Sequence, residues 1–180
     1  VAGLRVRLRR RGGAMSARLF GIEDALDSDA WYTPEWVFDG LGLRFDLDVA
    51  SPADPLPWLP ADTRYTVADD GLVMPWFGLV WCNPPYSEPK GWCQKWAQHH
   101  DGVLLIRSDL STSGPFAAWS AAHAAYVPSK RIQFVNGHGS GTGAVNFSSV
   151  LLGRGRAAVE AMHRLAALKG GTTRTLTHDT

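Results

Sequence analysis

Cysteine is scarce in this chain: Cys82 and Cys93 are its only two among 180 residues. They have no second pair and no metal-ligand spacing around them. That excludes a disulfide framework and a cysteine-based zinc site, and the two read as reduced, intracellular thiols. No apolar run approaches the roughly 20 residues that a membrane-spanning helix needs. The arginine-rich start is not followed by the apolar stretch of a secretory signal. His99, His100 and His138 are spread over loops without ligand partners, so no metal site is expected. Net charge is also small, at +1, but Arg5, Arg7, Arg9, Arg10 and Arg11 all fall in the first 14 residues. Subtracting those five from +1 leaves −4 for the rest of the chain. A mildly acidic body does not hold nucleic acid by bulk charge, so any such contact must come from a local patch or from the leader.

What is present argues for a folded domain. Hydrophobic residues make up 45% of the chain and eight are tryptophans, which excludes a disordered polymer. The length suits one domain with a sizeable core. The first methionine is Met15, and residues 1–14 are expected to be a start-site extension or a disordered arm. The organisation expected is a basic, disordered leader over 1–28, a folded domain over 29–168 and a flexible polar tail over 169–180. There are no internal repeats.

Along the chain, Thr33 is placed to cap a short helix with Pro34 at its first position, and Gly40 or Gly42 ends it. Residues 43–50 alternate apolar and polar before Ser51-Pro52, which predicts a strand. Residues 51–76 hold five prolines and little periodicity, a long loop that suggests function. A buried strand is predicted over 78–82, a helix over 89–100, a buried strand over 102–106 and a helix over 114–123. Residues 131–134 and 144–152 are strand-like on either side of a glycine-dense loop, Gly137 to Gly143, and residues 155–168 form an amphipathic helix. Strands alternate with helices until the last two strands, which pair as a hairpin. The order predicts an α/β sandwich, mostly parallel, with an antiparallel edge. The glycine-dense loop lacks a following helix and a Gly-Lys-Ser/Thr end, so it reads as a hairpin loop rather than a phosphate-binding one.

The most informative stretch is Trp81-Cys82-Asn83-Pro84-Pro85-Tyr86-Ser87. Two prolines end the buried strand abruptly, because neither can donate to a sheet ladder. The result is a rigid lip at the carboxyl end of a strand, where open α/β sheets place ligands. An Asn amide, a proline carbonyl and an aromatic ring on that lip can hold an exocyclic amine on a flat base. The competing reading is a proline-rich turn with Tyr86 packed for stability.

Tyr32-Thr33-Pro34-Glu35-x-Val37, then Asp46-Leu47-Asp48-Val49-Ala50, then the Asn-Pro-Pro-Tyr lip form a series. In this order it resembles the phage-type DNA adenine-N6 methyltransferases, the Dam-like family, over residues 30–152. The resemblance implies a Rossmann-like, S-adenosylmethionine-dependent methyltransferase sheet, mostly parallel with a C-terminal antiparallel hairpin, and makes residues 29–168 the methyltransferase domain. It implies Asn83, Pro84, Pro85 and Tyr86 as catalytic residues. It implies Tyr32, Thr33 and Pro34 beside the donor's methionine moiety, and Asp48 to Ala50 as a backbone turn beneath the donor. Asp69, in Asp69-Asp70-Gly71, is the candidate acid toward the adenosine or the base, against a solvated turn. The expected partner is DNA, with no membrane and no metal, in the cytoplasm. The expected role is modification of phage, prophage or host DNA, as in restriction-modification. The oligomeric state stays open.

One departure stands out. Ser51-Pro52-Ala53-Asp54 follows the first strand where methyltransferases carry a Gly-x-Gly turn, and without glycine a backbone approaches its ligand less closely. That leaves two other readings: a degenerate fold that binds DNA or a partner without catalysis, and a methyltransferase for another planar amine, cytosine N4 or a protein glutamine.

Overall fold

The computed structural model describes residues 31–54, 56–136, 142–143 and 147–176. Among them the chain runs β1 (Trp31–Tyr32), α1 (Glu35–Leu41), β2 (Phe45–Asp48), β3 (Ala61–Arg64), β4 (Val80–Cys82), α2 (Pro89–Gln98), β5 (Gly102–Arg107) and α3 (Ser113–Ala121). It continues through β6 (Ala124–Val127), β7 (Phe134–Asn136), β8 (Thr142–Gly143), β9 (Ser149–Arg154), α4 (Arg156–Lys169) and β10 (Thr172–Thr175). The leader over 1–28 and most of the glycine-dense loop lie outside the described residues.

The strand at the centre of the domain is β5. Its first five residues are all buried, as a strand covered on both faces requires. Side chains alternate across a strand. Val103 and Leu105 therefore join an apolar cluster with α1 and α4, while Leu104 and Ile106 join another with α2 and α3. The result is a sheet between two helical layers, a mixed α/β fold. Its seven strands run in the order β10-β6-β9-β5-β4-β2-β3. The β3, β2, β4 and β5 strands are mutually parallel, β9 runs against both β5 and β6, and β10 runs against β6. Five strands thus share one direction, so the sheet is mostly parallel.

The expected terminal hairpin is only partly formed. The β7 strand pairs antiparallel with β8 in a separate three-stranded sheet, on the other side of which lies β1. The longer apolar segment, β9, leaves that hairpin and inserts between β5 and β6 instead of forming an edge. Val150, Leu151 and Leu152 are at most 2% exposed and divide between the two clusters. A strand apolar on both faces belongs at the centre of a sheet.

Three strands fall where none was expected. The long loop over 51–76 contains β3, an edge strand whose Ala-Asp-Thr-Arg sequence gives no alternating apolar signal. The Ala-Ala-Tyr-Val segment after α3 is strand β6, because hydrogen bonding to β9 and β10 outweighs the helix propensity of alanine. The polar tail contributes β10, which turns back from α4 through Gly170 and Gly171 at φ of 72° and 103°, with the Tyr126 hydroxyl donating to the Gly170 carbonyl at 2.8 Å.

The segment between β3 and β4 is fastened over the carboxyl end of β2. Lys95 Nζ donates to the carbonyls of Gly71, Leu72 and Met74 at 3.0, 2.8 and 2.5 Å, and Trp76 Nε1 donates to Gly71 O at 2.7 Å. A Cβ on Gly71 would lie 2.0 Å from the Val49 carbonyl oxygen and 2.9 Å from Trp92, so only glycine allows this approach. Gly71→Ala is expected to cost about 1–3 kcal/mol of stability. Gly91→Ala in α2, where the nearest atoms are 3.5 Å away, is expected to gain up to about 1 kcal/mol from helix propensity. Urea unfolding of both variants checks the contrast; equal effects would refute the Gly71 packing argument.

Candidate active site

The strand order reverses between β2 and β4: β3 lies to one side of β2, and β4 with β5 to the other. Open α/β sheets leave a crevice at the carboxyl ends of such strands. A cavity of about 420 Å³ lies there, within the usual range for small-molecule sites. Its walls are the end of β2, the lip after β4, and the β1–α1 junction, closed by Leu56, Leu59 and Val67. Of the residues singled out in the sequence, Tyr32, Thr33, Asp48, Ala50, Asn83, Pro84, Pro85 and Tyr86 line it together.

Asp48 is 1% exposed, at the last position of β2. Burial pushes its carboxyl up to about 6 from 3.8, although the Ala50 N–H, the Ser51 hydroxyl and the charge of Arg64 each pull it down. Arg64 stands opposite Asp48 in the β2–β3 register. The Ala50 N–H donates to Asp48 Oδ1 at 3.2 Å, so the aspartate's own side chain closes the turn after β2. Ser51 N–H then donates to the Tyr65 carbonyl at 2.8 Å. The chain thus stays beside β3 through this turn without the glycine pair expected at this point.

Asn83 follows β4 directly. Its Nδ2 donates to the Trp31 carbonyl at 3.3 Å, which fixes the amide orientation because that partner can only accept. Its Oδ1 is buried and has no hydrogen-bond partner among the described residues. Thr33 Oγ1 is in the same condition. A buried polar atom left without a partner costs about 1–3 kcal/mol, so two on one cavity point to a ligand. Thr33 is not the helix cap: α1 starts after Pro34, with no side-chain cap, and the Thr33 carbonyl accepts from Trp58 Nε1 at 3.0 Å. Pro34 stands behind the cavity wall rather than on it.

Tyr86 is held edge-on by two aromatic rings, Phe147 at 4.7 Å and Phe134 at 5.9 Å between centroids. The Arg107 guanidinium covers Phe147 at 4.6 Å. Tyr86 therefore borders the cavity on a fixed ring. Asp69 is not brought to the cavity. It is fully exposed and accepts from the Thr66 N–H and hydroxyl at 2.8 and 2.9 Å, which holds its carboxyl below the usual range and makes it a turn residue. Its neighbour Asp70, at φ 56°, borders an adjoining cavity of about 330 Å³ instead.

Sequence reasoning missed Trp31, Leu56, Leu59, Val67 and the Phe147 brace. The length of the 51–76 segment was the one signal that pointed toward part of this set. Both cysteines are free and buried; burial, then the nearness of Cys93 and Asp48, holds the Cys82 thiol protonated, and burial puts Cys93 at about 11. Neither thiol is a nucleophile.

A family model described as DNA N-6-adenine-methyltransferase (Dam) matches residues 23–161. The chain belongs to this family. It is therefore related to the DNA methyltransferases over most of its length, and the matched span contains the whole cavity lining. No curated protein and no solved structure matches it. Among the described residues, no helix is long and apolar enough to cross a membrane.

Proposed function

We propose that this chain is a DNA methyltransferase that transfers a methyl group from S-adenosylmethionine to the N6 amine of adenine, on a Rossmann-like sheet, in the cytoplasm. The observation that carries the reading is the orphaned Asn83 Oδ1 beside Tyr86, in a member of a family of DNA adenine-N6 methyltransferases. The residues fit such a donor. Asp48 offers a buried negative charge to a cationic ligand, Thr33 an unused hydroxyl, and Ala50 with the apolar wall a surface for the rest. Tyr32 lines the same wall, and Pro34 fixes the start of α1 behind it. Bound there, the donor supplies a methyl group activated by its sulfonium.

The adenine amine is a poor nucleophile, because its lone pair is delocalised into the ring. Asn83 Oδ1 and the Pro84 carbonyl accept from N6–H, which favours a tetrahedral nitrogen and stabilises the positive charge that develops on it. Pro85 keeps the lip rigid, so these acceptors need not reorganise during the reaction. The base must first leave the duplex. Tyr86 then stacks on it, an interaction worth roughly 1–3 kcal/mol. Holding the amine at contact distance from the methyl supplies the remaining advantage.

Incubation with tritiated S-adenosylmethionine and unmethylated DNA, followed by digestion to nucleosides, tests this. Label in N6-methyladenosine is the expected result. Label in N4-methylcytosine, or no labelled base with the donor bound, would assign the site to another planar amine. No donor binding would leave a binding module on a methyltransferase fold.

A further inference from the structure

The acidic body of this chain holds DNA only with help from a local patch or from the arginine leader, and the fold builds such a patch away from the cavity. Strand β6 ends at Val127 and runs into Pro128-Ser129-Lys130-Arg131, while α4 ends at Lys169. The Gly170–Gly171 turn binds these two ends together. The Tyr126 hydroxyl donates to the Gly170 carbonyl, and a Cβ on Gly171 would lie 2.6 Å from the Val127 carbonyl oxygen. Lys130, Arg131 and Lys169 thereby line one cavity of about 260 Å³, together with Ser129 and the half-buried Trp36. No carboxylate lines it, and among the described residues none of the three cations forms an ion pair. Elsewhere Arg44 and Arg156 are each paired with an acid.

The placement suits a nucleic acid. Strand β6 is parallel to β4, so the residues after β6 that line this cavity lie at the same, carboxyl end of the strands as Asn83. The two strands are separated by β5 and β9, a distance of about 15 Å at roughly 4.8 Å per strand. One strand of a duplex places about four phosphates over that length. Helix α1 joins the two places, since Thr33 before it lines the first cavity and Trp36 within it lines the second. We propose that the Lys130–Arg131–Lys169 cavity holds phosphodiester groups of duplex DNA a few nucleotides from the base at Asn83, and so sets the register of the duplex on the enzyme. The inference rests on the DNA methyltransferase reading above.

The test compares the full chain with a Lys130→Gln, Arg131→Gln, Lys169→Gln variant. Fluorescence anisotropy with a labelled, unmethylated duplex is measured over a salt series, and S-adenosylmethionine binding by calorimetry serves as the fold control. The expected result is at least about a tenfold loss of duplex affinity at low salt, a salt slope shallower by about 0.9 for each phosphate no longer neutralised, and unchanged donor affinity. Unchanged duplex affinity and slope in the variant overturn this proposal alone. No duplex binding by the unaltered chain overturns it together with the DNA reading, whereas donor binding would still stand. Binding of inorganic phosphate or AMP that the variant loses, with duplex affinity untouched, assigns the cavity to free phosphate and overturns the duplex assignment. If the triple variant fails to fold, Lys130→Gln and Lys169→Gln are measured singly, each with an expected slope change of about 0.9.

Discussion

Asn83→Ala is expected to lower methyl transfer by at least about 10²–10³-fold while S-adenosylmethionine still binds. The size follows from the role proposed for Asn83 Oδ1, that of a preorganised acceptor for charge that appears only in the transition state. Losing such a group costs about 2.7–4 kcal/mol of barrier lowering. In the free protein the same substitution removes a buried oxygen that has no partner among the described residues, and the one side-chain hydrogen bond it removes among them is the long one from Nδ2 to Trp31 O at 3.3 Å. Stability should therefore change little. Tyr86→Ala should behave differently. It removes a ring packed on Phe147 and Phe134, weakens DNA engagement and leaves donor affinity intact. Single-turnover rates with saturating DNA, set beside donor calorimetry, separate the two. Equal loss of donor affinity in both variants would sink these assignments.

The second large effect is electrostatic and belongs to Asp48. Its carboxyl ionises at about 6 in the folded chain against an ordinary 3.8. Between those values the folded protein keeps a proton that the unfolded chain has released. The contribution of Asp48 to stability is therefore fully present below about pH 4, is lost as pH rises through 6, and stays absent above it. A gap of about two units corresponds to about 3 kcal/mol. Asp48→Asn keeps an acceptor for the Ala50 N–H but cannot ionise, so it should be more stable than the parent at pH 8 by about 1–3 kcal/mol, with a flatter profile between pH 4 and 8. Urea unfolding at pH 4, 6 and 8 measures this; superimposable profiles for the two proteins would show that Asp48 is not the titrating group. The same charge should favour a cationic ligand. Donor affinity of the parent is expected to rise as pH goes from 5 to 7, with proton release near pH 6, and Asp48→Asn should lose up to about 100-fold of it at pH 7. Calorimetry in two buffers of different ionisation enthalpy reads the proton directly.

The two effects oppose each other at one residue. Asp48 lowers the stability of the free protein above pH 6, and that penalty is what a bound cation would offset. A carboxylate buried at the end of a strand, with only partial help from Arg64 and the Ala50 N–H, is costly as scaffold and useful as a ligand group.

Local chemistry determined much of this from the sequence. The apolar run at 102–106 gave β5, and the run at 78–82 gave β4 over Val80–Cys82 only, Gly78 being an exposed bend at φ 60°, because a strand covered on both faces must be apolar throughout. The two prolines after Asn83 ended β4 because they cannot donate to a ladder. The apolar spacing in 155–168 gave α4. The order of the Thr-Pro, Asp-Val-Ala and Asn-Pro-Pro-Tyr segments pointed to the family. Only the tertiary structure decided the rest. The apolar run of β9 marks it as a central strand, but only the pairing shows that its neighbours are β5 and β6 rather than β7, because hydrogen bonding to a particular neighbour leaves no mark on the residues themselves. Packing of distant segments set Phe147 against Tyr86, Trp31 against Asn83, and Lys169 beside Lys130. Burial, which is a property of the whole fold, turned Asp48 into a group that titrates near neutrality and left Asp69, equally acidic in sequence, as an ordinary exposed turn.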